Sequence, residues 1–116
     1  MSVFVIDDDE IMAECLERII GGDADVFSNA IEAMQAISDG LTPDLIFLDV
    51  LLDGPDGFTF LNELASYVDT AKIPVVIVSS LDLSKKDLSQ YGVVGFLNKD
   101  SMEPEDIRSY VRQYCN

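Results

Sequence analysis

Short runs of aliphatic and β-branched residues alternate with segments of helical periodicity along the whole chain. Five such runs lie at residues 3–6, 25–27, 45–48, 75–78 and 94–97. The first, Val3–Ile6, is continuously apolar where a half-exposed strand would alternate, which indicates a strand buried on both faces of a sheet. Alternating strands and helices are typical of βα units around a parallel sheet. We therefore expect an α/β fold with five parallel strands covered by helices on both faces.

Five helices are expected, one after each strand. In the first three, the positions expected to face the core are Ile11, Met12, Cys15, Leu16, Ile19 and Ile20, then Ile31, Met34 and Ile37, then Phe58, Leu61, Leu64, Ala65 and Val68. Asn29 is a plausible cap for the second helix. A capping-box pattern predicts the fourth over residues 84–90, ended by Gly92, and Pro104 lies in the first turn of the last.

The composition excludes several classes of function. The 116 residues carry 7 basic and 22 acidic side chains, a formal net charge of −15, so the surface repels nucleic acids and anionic membranes. The apolar runs are far shorter than the roughly 20 residues that span a bilayer. Cys15 and Cys115 show no metal or redox spacing, and no secretory signal is visible, so we expect a cytoplasmic protein with one domain over residues 1–116 and no effector domain.

The chain contains no histidine. It therefore cannot form a Ser-His-Asp or Cys-His nucleophilic pair, a histidine-ligated zinc site or a phosphohistidine of its own. Any chemistry has to use carboxylates, hydroxyls, lysine or a bound metal.

Polar residues of distinct chemistry follow four of the predicted strands. They are Asp7-Asp8-Asp9 after the first, Asp49 after the third, Ser79-Ser80 after the fourth and Lys99 after the fifth. The carboxyl ends of strands in an open α/β sheet form the crevice where ligands bind. Acids gathered there need compensating cations. Lys99 supplies one positive charge, and the remaining negative charge on carboxylate oxygens suits Mg²⁺. Helix capping is the simpler explanation for one acid, and we assign it to Asp9, but it does not explain four chemical types at four strand ends.

These motifs together resemble the receiver domain of two-component response regulators, the CheY-like superfamily. The matching segments are Val5-Ile6-Asp7-Asp8-Asp9, Phe47-Leu48-Asp49 with Asp56-Gly57, Val78-Ser79-Ser80 and Gly95-Phe96-Leu97-Asn98-Lys99. Order and spacing both match over essentially the whole chain. The resemblance implies a flavodoxin-like, doubly wound (βα)5 sandwich with parallel strands in the order 2-1-3-4-5.

The resemblance also implies a role for each matched residue. Asp49 would be the nucleophile that takes a phosphoryl group from a phosphohistidine on a sensor histidine kinase or a histidine phosphotransfer protein. Mg²⁺ would be bound by Asp8, Asp49 and the backbone carbonyl of Leu51, and by Asp7 mainly through water. Lys99 and Ser79 would bind phosphoryl oxygens. Ser79 and Phe96 would then switch the face built from the fourth helix, the last strand and the last helix, where a downstream protein partner would bind. A monomer or weak dimer is expected.

The sequence departs from the family pattern beside both key loops. Asp100 stands where the family usually has proline after the lysine, and a cis peptide is costly before any other residue, so the sequence leaves the conformation of the Lys99–Asp100 peptide open. Leu52-Asp53 replaces the usual apolar-proline pair. The side chains of Leu51 and Leu81 cannot orient a water for attack on the phosphoryl group, so we expect slow self-dephosphorylation. We do not expect the domain to be a turnover enzyme.

Three functions other than that of a phosphoacceptor are compatible with parts of this pattern. A receiver-like interaction module that no longer depends on phosphorylation is the main alternative. An aspartate-nucleophile phosphatase is disfavoured because Leu51 occupies the position of its general acid. A flavodoxin-type flavin carrier is rejected because no Ser/Thr/Gly-rich phosphate loop follows the first strand.

Overall fold

The five strands form one parallel sheet. A computed structural model describes residues 2–22, 24–49, 57–80 and 88–115, with strands β1 (Val3–Ile6), β2 (Ala24–Phe27), β3 (Leu45–Leu48), β4 (Val75–Ser79) and β5 (Val93–Asn98). The strand order is β2-β1-β3-β4-β5, and every neighbouring pair is parallel. The predicted doubly wound, flavodoxin-like fold is confirmed.

Four α-helices lie within the described residues. They are α1 (Glu10–Ile20), α2 (Ala30–Ser38), α3 (Gly57–Ala65) and α4 (Pro104–Tyr114), with a short 3-10 helix at Ser89–Tyr91. Most of the fourth predicted helix, residues 84–90, falls outside the described residues, so α4 here corresponds to the fifth predicted helix. No helix in the described ranges has the length and apolar content to cross a membrane.

A separate apolar core fills each face of the sheet. One core lies under α1 and α4 and includes Val5, Leu16, Phe47, Val78 and Ile107. The other lies under α2 and α3 and includes Phe4, Ile46, Phe60, Leu64 and Ile77. Strands β1, β3 and β4 are buried along their whole length because they face both cores. The sheet is therefore a rigid platform for the residues that follow its strands.

The inward face of α1 differs from the predicted one. Ala13 and Leu16 are buried, whereas Ile11 is 80% exposed and Cys15 is also exposed. At about 100° per residue, a face centred between Ala13 and Leu16 places Ile11 and Cys15 beyond its edge. The prediction that Cys15 packs in the core was wrong. The inward face of α1 includes the small residue Ala13, which a pattern based on large apolar residues does not detect.

Two further predicted core positions are exposed. Ile31 of α2 is 62% exposed because Ala30 and Ala33 face the sheet instead. Val68 is 81% exposed because α3 ends at Ala65, before the helix could carry Val68 round to the inner face. Both predictions were wrong, and both leave apolar surface in contact with solvent.

The predicted helix boundaries agree better with the structure. Asn29 Oδ1 accepts a hydrogen bond from the Glu32 N–H at 2.9 Å, so Asn29 caps α2 as predicted. Gly92 ends the 3-10 helix in the left-handed region at φ 83°, which glycine adopts without strain. Pro104 is the first residue of α4.

Candidate functional site

The sheet hydrogen bonds continue one residue beyond strands β1 and β3. The Asp7 N–H donates to the Phe27 carbonyl at 3.0 Å, and the Asp49 N–H donates to the Ile6 carbonyl at 2.9 Å. The backbone of each aspartate is therefore held by the sheet while its side chain lies at the carboxyl edge. Asp7 and Asp49 are 3% and 5% exposed, so both carboxyl groups are largely withdrawn from water.

Lys99 joins these two buried acids. Its Nζ lies 3.0 Å from Asp7 Oδ2 and 3.0 Å from Asp49 Oδ2, and its side chain is 15% exposed. The backbone N–H of Lys99 donates to the Ser79 carbonyl at 3.0 Å, which fixes the start of the loop after β5 against the end of β4. The structure thus brings Asp7, Asp49 and Lys99 into direct contact, with the backbone of Ser79 alongside.

Asp8 completes a cluster of three carboxylates. One oxygen from each of Asp7, Asp8 and Asp49 can be chosen so that all three lie within 4.8 Å of one another. Asp8 is half-buried, so the cluster opens toward solvent on its side. Three negative charges at this distance outnumber the single ammonium of Lys99, and the site carries excess negative charge.

The environment of Asp7 suits a cation. Asp7 Oδ1 accepts a hydrogen bond from the Asp9 N–H at 2.9 Å. Asp7 Oδ2 is fully buried, and no described group donates an aligned hydrogen bond to it; its close partner is the ion pair with Lys99. Burial raises the pKa of the Asp7 carboxyl above its ordinary 3.8, and the Asp49 charge adds to the rise, against the lowering effects of Asp9 and Lys99.

Mg²⁺ prefers hard carboxylate oxygens as ligands, and this cluster of carboxylates has too little positive charge nearby to balance it. The residues present therefore fit a divalent cation of this kind. Of the predicted metal ligands, Asp7, Asp8 and Asp49 are brought together, whereas Leu51 lies outside the described residues.

The Lys99 ammonium is held in its charged form. Burial alone lowers its pKa, but the adjacent carboxylates of Asp49 and Asp7 outweigh burial and raise the pKa above its ordinary 10.5. A permanent positive charge therefore sits between two buried acids.

Two neighbouring residues shape the loops that carry the site. Asp9 Oδ1 accepts hydrogen bonds from the N–H groups of Ile11 and Met12 at 3.1 and 3.3 Å, so it caps α1 as predicted. Asn98 Oδ1 accepts from the Asp100 N–H at 2.8 Å and closes the turn that presents Lys99. This positioning role of Asn98 was not predicted, although asparagine side chains commonly close an Asx turn by accepting from the backbone N–H two residues further on. The Lys99–Asp100 peptide, whose conformation the sequence left open, is trans.

Ser79 and Phe96 lie on the two strands beside the acid cluster. Ser79 is 2% exposed, at the end of β4, and Phe96 is half-buried in β5 and packs against the core beneath α3. Phe96 pairs in register with Ile77, two residues before Ser79. The loop residues Leu52, Asp53 and Leu81, for which departures were noted, lie outside the described residues.

Comparison with known proteins agrees with this geometry. The family model of the response regulator receiver domain matches residues 3–112. The chain belongs to the response regulator receiver domain family. Receiver domains as a family act in two-component signalling, take phosphoryl groups from histidine kinases and generally bind Mg²⁺.

Individual relatives support the same assignment. The nitrate/nitrite response regulator protein NarL of Escherichia coli strain K12 is 30% identical over 116 residues, covering 97% of this chain and 53% of NarL. The probable transcriptional regulator ycf29 of Porphyra purpurea is 25% identical, covering 96% of this chain and 54% of that protein. A crystal structure of a putative response regulator from Chloroflexus aurantiacus superposes with a TM-score of 0.84 at 29% identity, covering 97% of this chain and 95% of that one. The chain thus spans about half the length of these two curated relatives.

Proposed function

We propose that this receiver domain is a phosphoacceptor whose Asp49 takes a phosphoryl group from a phosphohistidine on a sensor histidine kinase or a histidine phosphotransfer protein. The observation that carries the proposal is the contact of Lys99 with both buried acids, 3.0 Å from Asp49 Oδ2 and 3.0 Å from Asp7 Oδ2. An interaction module independent of phosphorylation has no use for buried acids around one ammonium, since burying them costs stability.

The transfer replaces one bond to phosphorus by another. A carboxylate oxygen of Asp49 attacks the phosphorus atom, the P–N bond to the donor imidazole breaks, and an acyl phosphate forms on Asp49. The imidazole leaves with the electron pair of that bond and takes up a proton. The donor is another protein because this chain has no histidine.

A Mg²⁺ ion held by Asp7, Asp8 and Asp49, with the Leu51 carbonyl, would neutralise the charge of the anionic donor and the anionic nucleophile. Lys99 supplies the remaining positive charge. As the Asp49 oxygen becomes part of the acyl phosphate, the Lys99 ammonium can transfer its contact to a phosphoryl oxygen, and the Ser79 hydroxyl can donate to another.

The output rests on Ser79 and Phe96. Movement of the Ser79 hydroxyl toward the phosphoryl group would leave space beneath β5, and Phe96 would turn inward to fill it. The surface of β5 and the adjoining helices then changes, and a downstream protein partner reads the change. In the phosphorylated fraction of Ser79→Ala, the spectral change at Phe96 is expected to be smaller than in the phosphorylated wild-type domain, which amide and aromatic NMR spectra would measure.

The phosphorylated state is proposed to be long-lived, and the domain is not a turnover enzyme. Leu51 and Leu81 offer no hydrogen bond to an attacking water, so the acyl phosphate is hydrolysed slowly. The expected half-life in a purified sample is minutes to hours, and Leu51→Asn should shorten it. Decay of the wild-type adduct within seconds would contradict this prediction.

Beryllofluoride, which imitates a phosphoryl group on aspartate, tests the proposal without a kinase. Amide NMR spectra are recorded with beryllofluoride in the presence of Mg²⁺ and again with a chelator. A Mg²⁺-dependent adduct is expected in the wild-type domain and in Asp25→Ala, which removes an exposed acid of β2, but not in Asp49→Ala. A folded wild-type domain that forms no adduct would favour the interaction-module alternative.

A further inference from the structure

An open apolar groove runs between α2 and α3. It consists of two depressions of about 460 and 380 Å³. The larger is lined by Ile37, Leu41, Tyr67 and Ile73, and the smaller by Ile31, Thr59, Phe60 and Glu63. Met34 and Ser38 line both, so the two depressions meet along α2. We call this feature the α2–α3 groove.

The groove exposes an unusual share of apolar surface. Of its lining residues, Ile31 is 62% exposed, Tyr67 59% and Leu41 49%. These are three of the seven large apolar side chains that are exposed in the described part of the chain. Exposed apolar side chains gathered along one groove, rather than scattered singly, mark a binding surface.

The rim of the groove is acidic. Glu63 and Asp69 line it directly, and Asp39 follows α2 with its Oδ1 held by the Gln35 side chain at 3.0 Å. Lys72 is the one cation on the described segments that border the groove. The other described cations that lie on helices belong to α1 and α4, on the opposite face of the sheet. A partner of this groove therefore needs positive charge around an apolar centre.

We propose that the α2–α3 groove is a docking site for an amphipathic helix of a partner protein, with its apolar face on Ile31, Met34 and Tyr67 and its basic residues toward Glu63, Asp39 and Asp69. An amphipathic helix in a hydrophobic groove is a recurring mode of recognition, with anchors at i, i+3 or i+4, and i+7. The nine residues of α2 span about 13 Å, which matches roughly two and a half turns of a bound helix.

A second copy of this chain is a less suitable occupant. Two copies placed groove to groove would bring the same acidic rims together, and each chain carries a net charge of −15. The proposal does not depend on phosphorylation of Asp49, because the groove is lined by residues of α2, α3 and the segments that follow them rather than by the acid cluster.

The test uses a defined probe in a buffer that contains a metal chelator. The probe is a labelled synthetic peptide of about 14 residues with leucine at helical spacing and lysine elsewhere, long enough for the anchor pattern. A second peptide replaces each lysine by glutamate. Amide shift mapping should place the lysine peptide on α2 and α3, and fluorescence anisotropy should show saturable binding at least about tenfold tighter than that of the glutamate peptide.

Two variants with the same substitution separate this surface from others. Ile31→Lys is expected to weaken binding by about tenfold or more, since it removes an apolar anchor. Ile11→Lys, on α1 and 80% exposed, adds the same charge and should leave binding unchanged. Both positions are exposed, so both variants should fold, which the amide spectra check.

Several results would overturn the proposal. They are the absence of saturable binding, equal affinity for the two peptides, shifts confined to α1 and α4, or an unchanged affinity in Ile31→Lys. Sedimentation equilibrium without peptide tests the other occupant. A dimer that Ile31→Lys dissociates would assign the groove to a second copy of the chain instead.

Discussion

Replacing Lys99 by methionine removes the one positive charge that, among the described residues, contacts both buried acids. Methionine retains much of the aliphatic length of lysine, so packing changes little. The Asp7 and Asp49 carboxylates, with side chains 2% and 7% exposed, then face each other without the ammonium that lies 3.0 Å from each. We expect the metal-free variant to be markedly less stable at neutral pH.

The magnitude follows from the burial of the partners. Breaking a buried ion pair by removing one partner costs about 3–5 kcal/mol. The Lys99 side chain is 15% exposed and Asp8 opens the cluster to water, which places the expected loss near the lower end, at about 3 kcal/mol. With a urea m-value of about 1.5–2 kcal/mol/M, the unfolding midpoint falls by roughly 1.5–2 M.

Urea unfolding followed by circular dichroism, with a chelator and then with Mg²⁺, measures this loss. Mg²⁺ should stabilise Lys99→Met more than the wild-type domain, because the variant has lost its other cation. Lys72→Met removes an exposed lysine and serves as the matched control, with a change within about 0.5 kcal/mol. A metal-free Lys99→Met domain as stable as the wild type would refute the electrostatic description of the site.

Three further predictions concern single contacts. Asp7→Asn should raise the free energy of unfolding of the metal-free domain at pH 7 by about 0.5–2 kcal/mol and abolish stabilisation by Mg²⁺. Burial raises the pKa of Asp7 in the folded state, so the charged carboxylate destabilises the fold above that pKa. The stability gained by Asp7→Asn should therefore disappear as the pH falls through the folded-state pKa of Asp7. Gly95→Ala adds a Cβ that would overlap the Tyr110 hydroxyl and should cost about 1–3 kcal/mol. The cost should be smaller in a Tyr110→Ala background, which a double-mutant cycle in urea measures. Asp9→Ala should lower the thermal stability through loss of about 1 kcal/mol of capping energy.

The sheet and the acid cluster were predictable because each depends on a local signal. Continuous apolar runs identified the buried strands, and an aspartate or lysine directly after a strand has only one edge of a parallel sheet to occupy. Strand order brings Asp7 and Asp49 together because β1 and β3 are neighbours, whereas the contact of Lys99 also depends on its long side chain and on the turn after β5, since β4 lies between β5 and β3. The strand order was predicted from the resemblance to receiver domains, because the hydrophobic periodicity of the sequence does not show which strands are neighbours in the sheet.

The helix faces were less predictable because small residues decide them. Ala13 in α1 and Ala33 in α2 face the sheet. A prediction based on large apolar residues leaves these alanines out and places the inward face of each helix too close to Ile11 and Ile31. These isoleucines are exposed as a consequence. The side-chain hydrogen bond of Asn98 was also missed, because it depends on the turn geometry after β5 rather than on a spacing of residue types.

We propose that Asp49 is the residue phosphorylated in this domain. Incubation with acetyl phosphate and Mg²⁺, reduction of the acyl phosphate with borohydride and peptide mass spectrometry would locate the modified side chain. We predict modification at Asp49 in the wild-type domain, dependent on Mg²⁺ and absent from Asp49→Asn. Modification at another acid, or none on a folded and Mg²⁺-saturated domain, would contradict the assignment of Asp49 as the phosphorylated residue.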